Sequence, residues 1–289
     1  MRSVDAPAKV NLTLEILARR DDGYHALRSV MVPIALCDEL AFAASDAFAF
    51  HCEPPSLTDA NLVTRALARI GADRPGLAVN LRKRIPVGAG LGGGSSDAAA
   101  VLRASMHGAF GEVPVRDWLA DARSLGSDVP FFLVDGPALV EGTGERVTAL
   151  GVAPPWWVVL AVPPVHVSTA EAYAKLAVLR AASPAPSRPR STSASVRCGE
   201  ALQRADYDGV IAAMTNDFEP LIAETHPAVR AALDALRAAG ADGPLLSGSG
   251  GACFSLAVDE RAARAVAAKI DDGAFDVHAV PLATGTSWR

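Results

Sequence analysis

The feature that most narrows what this chain can become is a run of glycines at Gly88, Gly90, Gly92, Gly93 and Gly94, five in seven positions. The segment before it, Leu77–Ile85, alternates apolar and polar residues as a strand does. The segment after it, Ser95–Phe110, is alanine-rich and reads as a helix with Ser95, Ser96 or Asp97 near its start. Glycines so placed let backbone N–H groups converge on a ligand without Cβ obstruction, and the helix start adds partial positive charge. Together they form an anion site, typically for phosphates. Ser95 and Ser96 add hydroxyls that reach phosphate oxygens or a bound Mg²⁺. A tight turn capped by Ser95 and holding no ligand is the plain alternative, but five glycines exceed what a cap requires.

Several phosphate-binding folds share such loops. Gly88, Gly90 and Gly93 satisfy G-x-G-x-x-G, yet a dinucleotide fold also wants an acidic residue about 20 positions on, at the end of the next strand. Here Glu112 precedes Val113-Pro114-Val115-Arg116-Asp117-Trp118, which reads as a loop entering a helix. A Rossmann oxidoreductase is therefore a distant reading. The P-loop G-x-x-x-x-G-K-[ST], the protein-kinase H-R-D and D-F-G and the hydrolase elbow G-x-S-x-G are all absent.

The rest of the chain supplies a frame. With 289 residues, 50% hydrophobic and 20% charged, it can bury a sizeable core, and its length suits two domains. A net charge of −5 without basic clusters argues against nucleic acid. No stretch approaches the ~20 apolar residues that span a bilayer, and MRSVDAPAKVNLTL lacks the pattern of a signal peptide. The four cysteines, Cys37, Cys52, Cys198 and Cys253, are scattered, without metal or disulfide spacing. No dedicated metal ligand set is visible. A cytoplasmic protein without membrane attachment is expected, as a monomer or weak homodimer.

Val10, Leu12, Leu14 and Ile16 alternate with Lys9, Asn11, Thr13 and Glu15, the pattern of a half-buried strand with a polar face. Asp21-Asp22-Gly23 marks a turn, and a second strand is expected over Ala26–Ile34. Asn61–Ile70 has helical spacing, with Asp59 or Asn61 as cap. The punctuation at Gly151–Pro155 sets a domain junction, giving residues 1–150 and 151–289. Strand Trp157–Val162 and helix Ala170–Leu179 follow. Ala181–Ser195, rich in Ser, Pro and Ala, reads as a surface loop. Helices are expected at Cys198–Arg204, Tyr207–Met214, Ala228–Ala239 and Arg261–Ile270. Leu245–Val258 reads as strand, glycine turn, strand, and a last strand lies near Val277–Leu282. Strands and helices alternate irregularly, so the fold class is α+β rather than doubly wound. Asp128, in Gly126-Ser127-Asp128-Val129-Pro130-Phe131-Phe132, reads as the cap of a helix with Pro130 in its first turn.

Three segments together carry a family resemblance. Pro86–Ser96 resembles the phosphate loop of the GHMP kinases, small-molecule kinases unlike P-loop or protein-kinase folds. Ala6-Pro7-Ala8-Lys9-Val10-Asn11-Leu12 is similar to their first motif. Leu246–Phe254 is similar to their third, with Gly251 where proline is expected. Five ordered motifs sharpen the match: A-P-A-K-[IV]-N-L, D-G-Y-H (Asp22–His25), G-L-G-G-G-S-S (Gly90–Ser96), G-[AS]-D-[VI]-P-F-F (Gly126–Phe132) and E-G-x-G-E (Glu141–Glu145). With Asn216–Pro220 they resemble the branch acting on 4-diphosphocytidyl-2-C-methyl-D-erythritol.

The resemblance implies a two-domain fold with ATP and Mg²⁺ as cofactors. It also implies transfer of the γ-phosphate to the 2-hydroxyl of that cytidine diphosphate alcohol, a step of non-mevalonate isoprenoid synthesis. By itself Lys9 would be an ordinary solvent-facing lysine. Its motif position implies that it pairs with Asp128 and neutralises the transferring phosphoryl group, with Asp128 as the base that takes the hydroxyl proton. Tyr24 is implied to stack on the cytosine and His25 to hydrogen-bond to it, with Asn11 and Tyr173 completing the substrate side. A half-buried helix aromatic is the plain reading of Tyr173. Asn61, Leu62 and Lys83 are implied on the adenine and ribose side. Pro86, Val87, Gly88, Ala89, Gly90, Leu91, Gly92, Gly93, Gly94, Ser95 and Ser96 are implied to cradle the phosphates. The turn Ser247–Gly251 either shapes the phosphate end or is a plain hairpin. Homoserine- or mevalonate-type kinases, or a catalytically silent nucleotide-binding module, are the competing readings.

Overall fold

The amino-terminal alternation builds the longest pairing of the molecule. Strand β1 (Arg2–Arg19) runs antiparallel to β2 (His25–Ser45). The second strand thus continues well past the expected Ile34, carried by buried Leu36, Leu40, Ala41 and Phe42. The pairing shifts register between Pro7 and Ala8. Pro7 has no N–H for a ladder, and an irregularity is where a strand tolerates it. The structure, a computed structural model, describes residues 2–19, 25–59, 61–73, 75–111, 115–182, 193–283 and 287–288. The expected Asp21–Gly23 turn, Tyr24 and most of the Ala181–Ser195 loop lie outside them.

In chain order, the first half continues with β3 (Ala49–Glu53), α1 (Leu62–Ile70), β4 (Gly76–Arg82), α2 (Gly93–Met106) and α3 (Trp118–Leu125). It closes with the hairpin β5 (Ala138–Gly142) and β6 (Arg146–Ala149). The second half holds β7 (Trp157–Val162), α4 (Thr169–Ala182), α5 (Ala194–Gln203), α6 (Tyr207–Ala213) and β8 (Thr215–Asn216). After these come α7 (Glu219–Thr225), α8 (Pro227–Ala238), β9 (Asp242–Leu246), β10 (Cys253–Ala257), α9 (Glu260–Ile270), β11 (Asp276–Pro281) and β12 (Ser287–Trp288).

One sheet is ordered β12-β1-β2-β4-β3, with β5 also on β2, β6 on β5 and β8 on β1. The other, β11-β7-β10-β9, is antiparallel throughout and built entirely after residue 151. This is an α+β architecture. The Gly151–Pro155 segment separates the two sheets along the sequence, while β8 and β12 return from the second half to pair with β1. One apolar cluster, including Val10, Val32, Leu91, Leu160 and Phe254, joins residues of both halves, so the first strand is buried from either side.

Helix α1 shows how local chemistry sets an element. Val63, Ala66, Leu67 and Ile70 form its buried stripe, Asn61 Oδ1 accepts from Val63 N at 2.9 Å, and Gly71 ends it in the left-handed region. Burial of each large member contributes about 1.5–3 kcal/mol, and losing the cap would cost about 1 kcal/mol. Helix α2 begins at Gly93 rather than Ser95. Its Ala98, Ala99 and Ala100 are fully buried and let it pack closely against β1.

Two local expectations fail. Asp128 caps no helix: the chain turns through residues 127–130 into a single 3₁₀ turn, Phe131–Leu133, whose N-cap is Pro130 with no side-chain cap bond. Phe131 and Phe132 are both buried there, and they draw the chain into the core before a helix develops. The Ala181–Ser195 segment is not a loop at its ends, because α4 runs through Ala182 and Ser193 caps α5. Composition misleads at Ser193 and Ser195 because both are fully buried against Glu15 of β1. Ser193 Oγ and Ser195 N donate to Glu15 Oε2, the latter at 3.0 Å. Burial raises the Glu15 pKa, but these bonds outweigh it and hold the carboxyl below its ordinary range.

Candidate active site

The polar face of β1 is where the fold concentrates its unusual chemistry. Lys9, Asn11, Thr13 and Glu15 alternate with the apolar residues as expected, yet all four are buried. A buried ammonium needs partners. Lys9 Nζ donates to Asn11 Oδ1 at 2.7 Å and to Gly90 O at 2.9 Å, and lies 3.5 Å from Asp128 Oδ2. The Asp128 side chain is 30% exposed against 4% for Lys9, so the carboxylate opens outward while the ammonium sits beneath it. The turn bearing Asp128 is supported by the β5–β6 hairpin, where a Cβ on Gly144 would fall 2.3 Å from Ser127 O. Glu145 holds that hairpin tip by accepting from Thr143 N at 2.5 Å.

The glycine run connects β4 to α2, and Gly88, Gly90 and Gly92 have φ of 70°, 85° and 73°. Left-handed residues at alternate positions turn successive N–H groups toward one side, forming an anion-binding concavity. The first-turn amides of Gly93, Gly94 and Ser95 have no intrahelical acceptor. A cavity of about 400 Å³ opens over this loop, lined by Asn61, Leu62, Lys83, Pro86, Val87, Gly88, Gly90 to Gly94 and Ser95, and also by Ser56, Leu57, Asp59, Ile85 and Asp97. The residues expected at the nucleotide therefore share one wall, with two exceptions. Ala89 is buried behind the loop, where its carbonyl accepts from Ala252 N at 2.9 Å. Ser96 is fully buried, and its hydroxyl has no partner among the described residues.

Lys83 lines the cavity without offering it free charge. Its ammonium is bonded to Asp38 and, at 2.7 Å, to Asp97 Oδ2. Burial alone would lower the Lys83 pKa, but the two carboxylates hold it above the ordinary lysine value. Asp97 is raised to about 8 by burial, against the pull of Lys83 and with the push of Asp38. Asp38 Oδ1 also accepts from Arg84 N and Ile85 N at 2.5 and 2.9 Å, fixing the strand end from which the glycine loop departs.

The second glycine turn is a hairpin between β9 and β10 and also a wall of the site. A Cβ on Gly90 would lie 2.2 Å from Ser247 O, and one on Gly250 would lie 2.2 Å from Gly90 N. Only paired glycines permit that backbone contact. Ser247 Oγ donates to Gly90 O at 3.2 Å, and Asn216 Nδ2 donates to Leu246 O and Gly248 O at 2.8 and 2.7 Å. Gly251, where the family motif has proline, lies within the same turn.

On the opposite side, His25 and Tyr173 face each other with ring centroids 6.1 Å apart, and Tyr173 meets Phe218 edge-on at 4.8 Å. Burial and the nearby Asp128 carboxylate push the Tyr173 phenol up to about 12, so the ring stays neutral. The structure thus brings His25 and Tyr173 together, with Tyr173 in the electrostatic reach of Asp128, while Tyr24 lies outside the described residues. Phe218 is absent from the sequence-based candidates, although it stands inside the Asn216–Pro220 motif, which is the signal that singles it out. Ser29, bonded to Asn11, has no such motif.

Comparisons with known proteins bear on the fold and the family. The model of the GHMP kinases N terminal domain matches residues 61–136, and the GHMP kinases C terminal model matches residues 200–275. A homoserine kinase from Cytophaga hutchinsonii superposes with a TM-score of 0.71 over 100% of this chain and 97% of its own, at 22% identity, which is a likeness of fold. The chain belongs to the GHMP kinases and is a small-molecule kinase. A Geobacter relative, a 4-diphosphocytidyl-2-C-methyl-D-erythritol kinase, is 42% identical over 92% of this chain and 93% of its own. One from Symbiobacterium thermophilum, of the same name, is 41% identical over 90% and 92%. A crystal structure of 4-(cytidine 5'-diphospho)-2C-methyl-D-erythritol kinase matches with a TM-score of 0.77 and 36% identity, over 98% of this chain and 100% of that one. Within the GHMP kinases, the chain belongs to the family of 4-diphosphocytidyl-2-C-methyl-D-erythritol kinases.

Proposed function

We propose that the chain transfers the γ-phosphate of ATP to the 2-hydroxyl of 4-diphosphocytidyl-2-C-methyl-D-erythritol, giving the 2-phosphate and ADP. The observation that carries this reading is the Lys9–Asp128 pair, 3.5 Å apart beside a glycine loop, in a chain of this family. Asp128 accepts the hydroxyl proton as the oxygen attacks phosphorus. Two Lys9 protons are taken by Asn11 and Gly90, so the third is left to face Asp128 and an incoming phosphoryl oxygen. Phosphoryl transfer asks mainly for such positioning and charge neutralisation.

ATP lies with its phosphates over the Gly88–Gly94 concavity and its adenosine toward Asn61, Leu62 and Lys83. That wall belongs to residues 1–150; on the substrate side Asn11, Tyr24 and His25 come from the same half and Tyr173 from residues 151–289. His25, Tyr173 and Tyr24 take the cytidine, and the apposed rings of the first two support this. Mg²⁺ neutralises β- and γ-phosphate charge in this chemistry. Among the described residues no group of three or more His, Cys, Asp or Glu is placed to hold a metal. The donor set that fits is the phosphate oxygens themselves, with the Ser95 hydroxyl on the cavity wall. Among the described residues no helix is long and apolar enough to cross a membrane. The proposed setting is the cytoplasm, with the chain a monomer or weak homodimer.

The test is a coupled ADP-release assay with this alcohol, homoserine and mevalonate as separate acceptors. Turnover with the cytidine diphosphate alcohol alone is expected. Turnover with another acceptor instead, or ATP binding without turnover on any, would overturn the assignment.

A further inference from the structure

Lys9 is held by Asn11, and Asn11 is in turn held by a serine outside every motif. Asn11 Nδ2 donates to Ser29 Oγ at 2.8 Å, and Ser29 Oγ donates to Thr13 O at 2.5 Å. Asn11 is 1% exposed and Ser29 fully buried. The β1–β2 ladder shifts register between Asn11 and Thr13 at this point. Side chains complete the pairing there, for Val30 N donates to Thr13 Oγ1 at 2.8 Å. Bulges of this kind re-aim side chains beside active sites.

The direction of each bond follows from proton count. A hydroxyl has one proton. With that proton on Thr13 O, Ser29 offers Asn11 only lone pairs, so the amide must turn its NH₂ toward Ser29 and Oδ1 toward Lys9. Turned the other way, the amide would set NH₂ against the ammonium, donor against donor in a buried site, which costs the desolvation of both. Gly248 flanks the pair closely, since an added Cβ there would lie 3.3 Å from Lys9 Nζ and 3.4 Å from Asn11 Oδ1, but it offers no side chain to orient the amide.

We propose that Ser29 is a positioning residue that orients the Asn11 amide so that Oδ1 faces Lys9, and thereby aims the ammonium at Asp128. Ser29 touches no reacting atom. The proposal deepens the kinase reading above and rests on it for its kinetic consequence.

The test compares Ser29→Ala, Ser29→Thr and Ser29→Cys in the full-length chain. Loss of the hydroxyl frees the amide and lets Lys9 shift by up to an ångström, so kcat should fall roughly 10- to 100-fold. The KM for ATP should stay within about twofold, as befits an interaction that acts on the transition state. Threonine keeps the hydroxyl and should restore most of the loss. Cysteine keeps the packing while weakening both bonds, and carries the test if the alanine variant does not fold. In an Asn11→Ala background, adding Ser29→Ala should cost nothing more, because the two act in series. Undiminished kcat in Ser29→Ala, an equal loss repeated in the Asn11→Ala background, or a threonine variant no better than alanine would each overturn the proposal. A readout free of turnover separates the two readings: the NMR signals of the Lys9 ε-methylene and ammonium should move in Ser29→Ala and stay in Ser29→Thr. If the wild-type chain left every acceptor untouched, the kinase assignment would fall while these signals still decided the role of Ser29.

Discussion

Replacing Gly250 with alanine isolates the contact between the two glycine turns. Gly250 does not lie in the left-handed region, so the added methyl carries no backbone strain and steric overlap alone decides the outcome. The Cβ would sit 2.2 Å from Gly90 N, 2.3 Å from Ala89 C and 2.5 Å from Ala89 O, whereas ordinary contact begins at 3.4 Å. All three atoms are backbone and cannot swing aside, so the turns must part by roughly 1 Å. Overpacking of this kind costs about 1–3 kcal/mol, and at about 2–4 °C per kcal/mol a fall of about 2–12 °C in Tm is expected. The movement also breaks the 2.9 Å bond from Ala252 N to Ala89 O and displaces Gly90 O, which takes protons from Lys9 and Ser247. Misplacement on that scale costs on the order of 10²-fold in rate, read by ADP release beside a thermal melt. Gly199→Ala is the matched control. Its Cβ would meet Leu150 at an ordinary 3.5 Å inside α5, so it should add about 0.5–1 kcal/mol of stability and leave kcat alone. A Gly250→Ala enzyme with the wild-type melt and kcat within about twofold would show that the turns do not constrain each other.

Asp128→Ala should lower kcat by about 10²–10⁴ while ATP binding, measured by calorimetry, changes little; equal loss of both would make Asp128 structural. Glu15→Gln tests the buried carboxylate under α5. Because the folded pKa lies below the unfolded one, its stabilisation is present above about pH 4.3 and disappears as pH falls through the folded value. The stability gap to wild type in urea melts should therefore be widest near neutrality and close in acid, and a gap independent of pH would refute the assignment. Asp97 has the opposite sign. With its folded pKa raised to about 8, the contribution is full below the ordinary carboxylate value and is lost as pH rises through 8. Wild type should lose ground to Asp97→Asn across that interval, and parallel stability curves would exclude the shift.

How much of this was legible in the sequence depended on how local the cause was. Strand Trp157–Val162 and the α8 and α9 helices follow from periodicity within one segment, and the structure has them where the pattern puts them, to within a residue or so. The glycine loop was legible because its residue type is unusual at any single position. What escaped was whatever a distant partner decides. Ser193 and Ser195 look like loop serines until Glu15, almost 180 positions earlier, supplies a buried acceptor. Asp128 looks like a helix cap until the burial of Phe131 and Phe132 cuts the helix to one 3₁₀ turn. Lys83 reads as a charge for the nucleotide, but Asp38 comes from another strand and Asp97 from the helix beyond the loop. The polar face of β1 was visible; that it would be buried was not, because the covering comes from distant segments, Gly90 and Asp128 over Lys9, Ser29 over Asn11, and the start of α5 over Thr13 and Glu15.

The charge pattern of the site has a consequence for the proposed reaction. Both substrates are polyanions, the chain is net −5, and Lys83 stands between two carboxylates. Local attraction for phosphate then rests on the amides of the glycine loop and the α2 start, which lose little to surrounding negative charge because they act at hydrogen-bond range. Lys9 is different, since in the resting site its third proton faces the Asp128 carboxyl group at 3.5 Å. In the proposed reaction, a hydroxyl proton passed to Asp128 would neutralise that carboxylate and remove the competing counter-ion of Lys9. The ammonium would then be released toward the phosphoryl oxygens at the stage when negative charge on them must be stabilised. Proton acceptance and phosphoryl stabilisation become one coupled event, which binds the transition state more strongly than the ground state. The coupling depends on Lys9 staying where both partners can reach it, and that is the task the structure gives to Asn11, Gly90 and, behind them, Ser29.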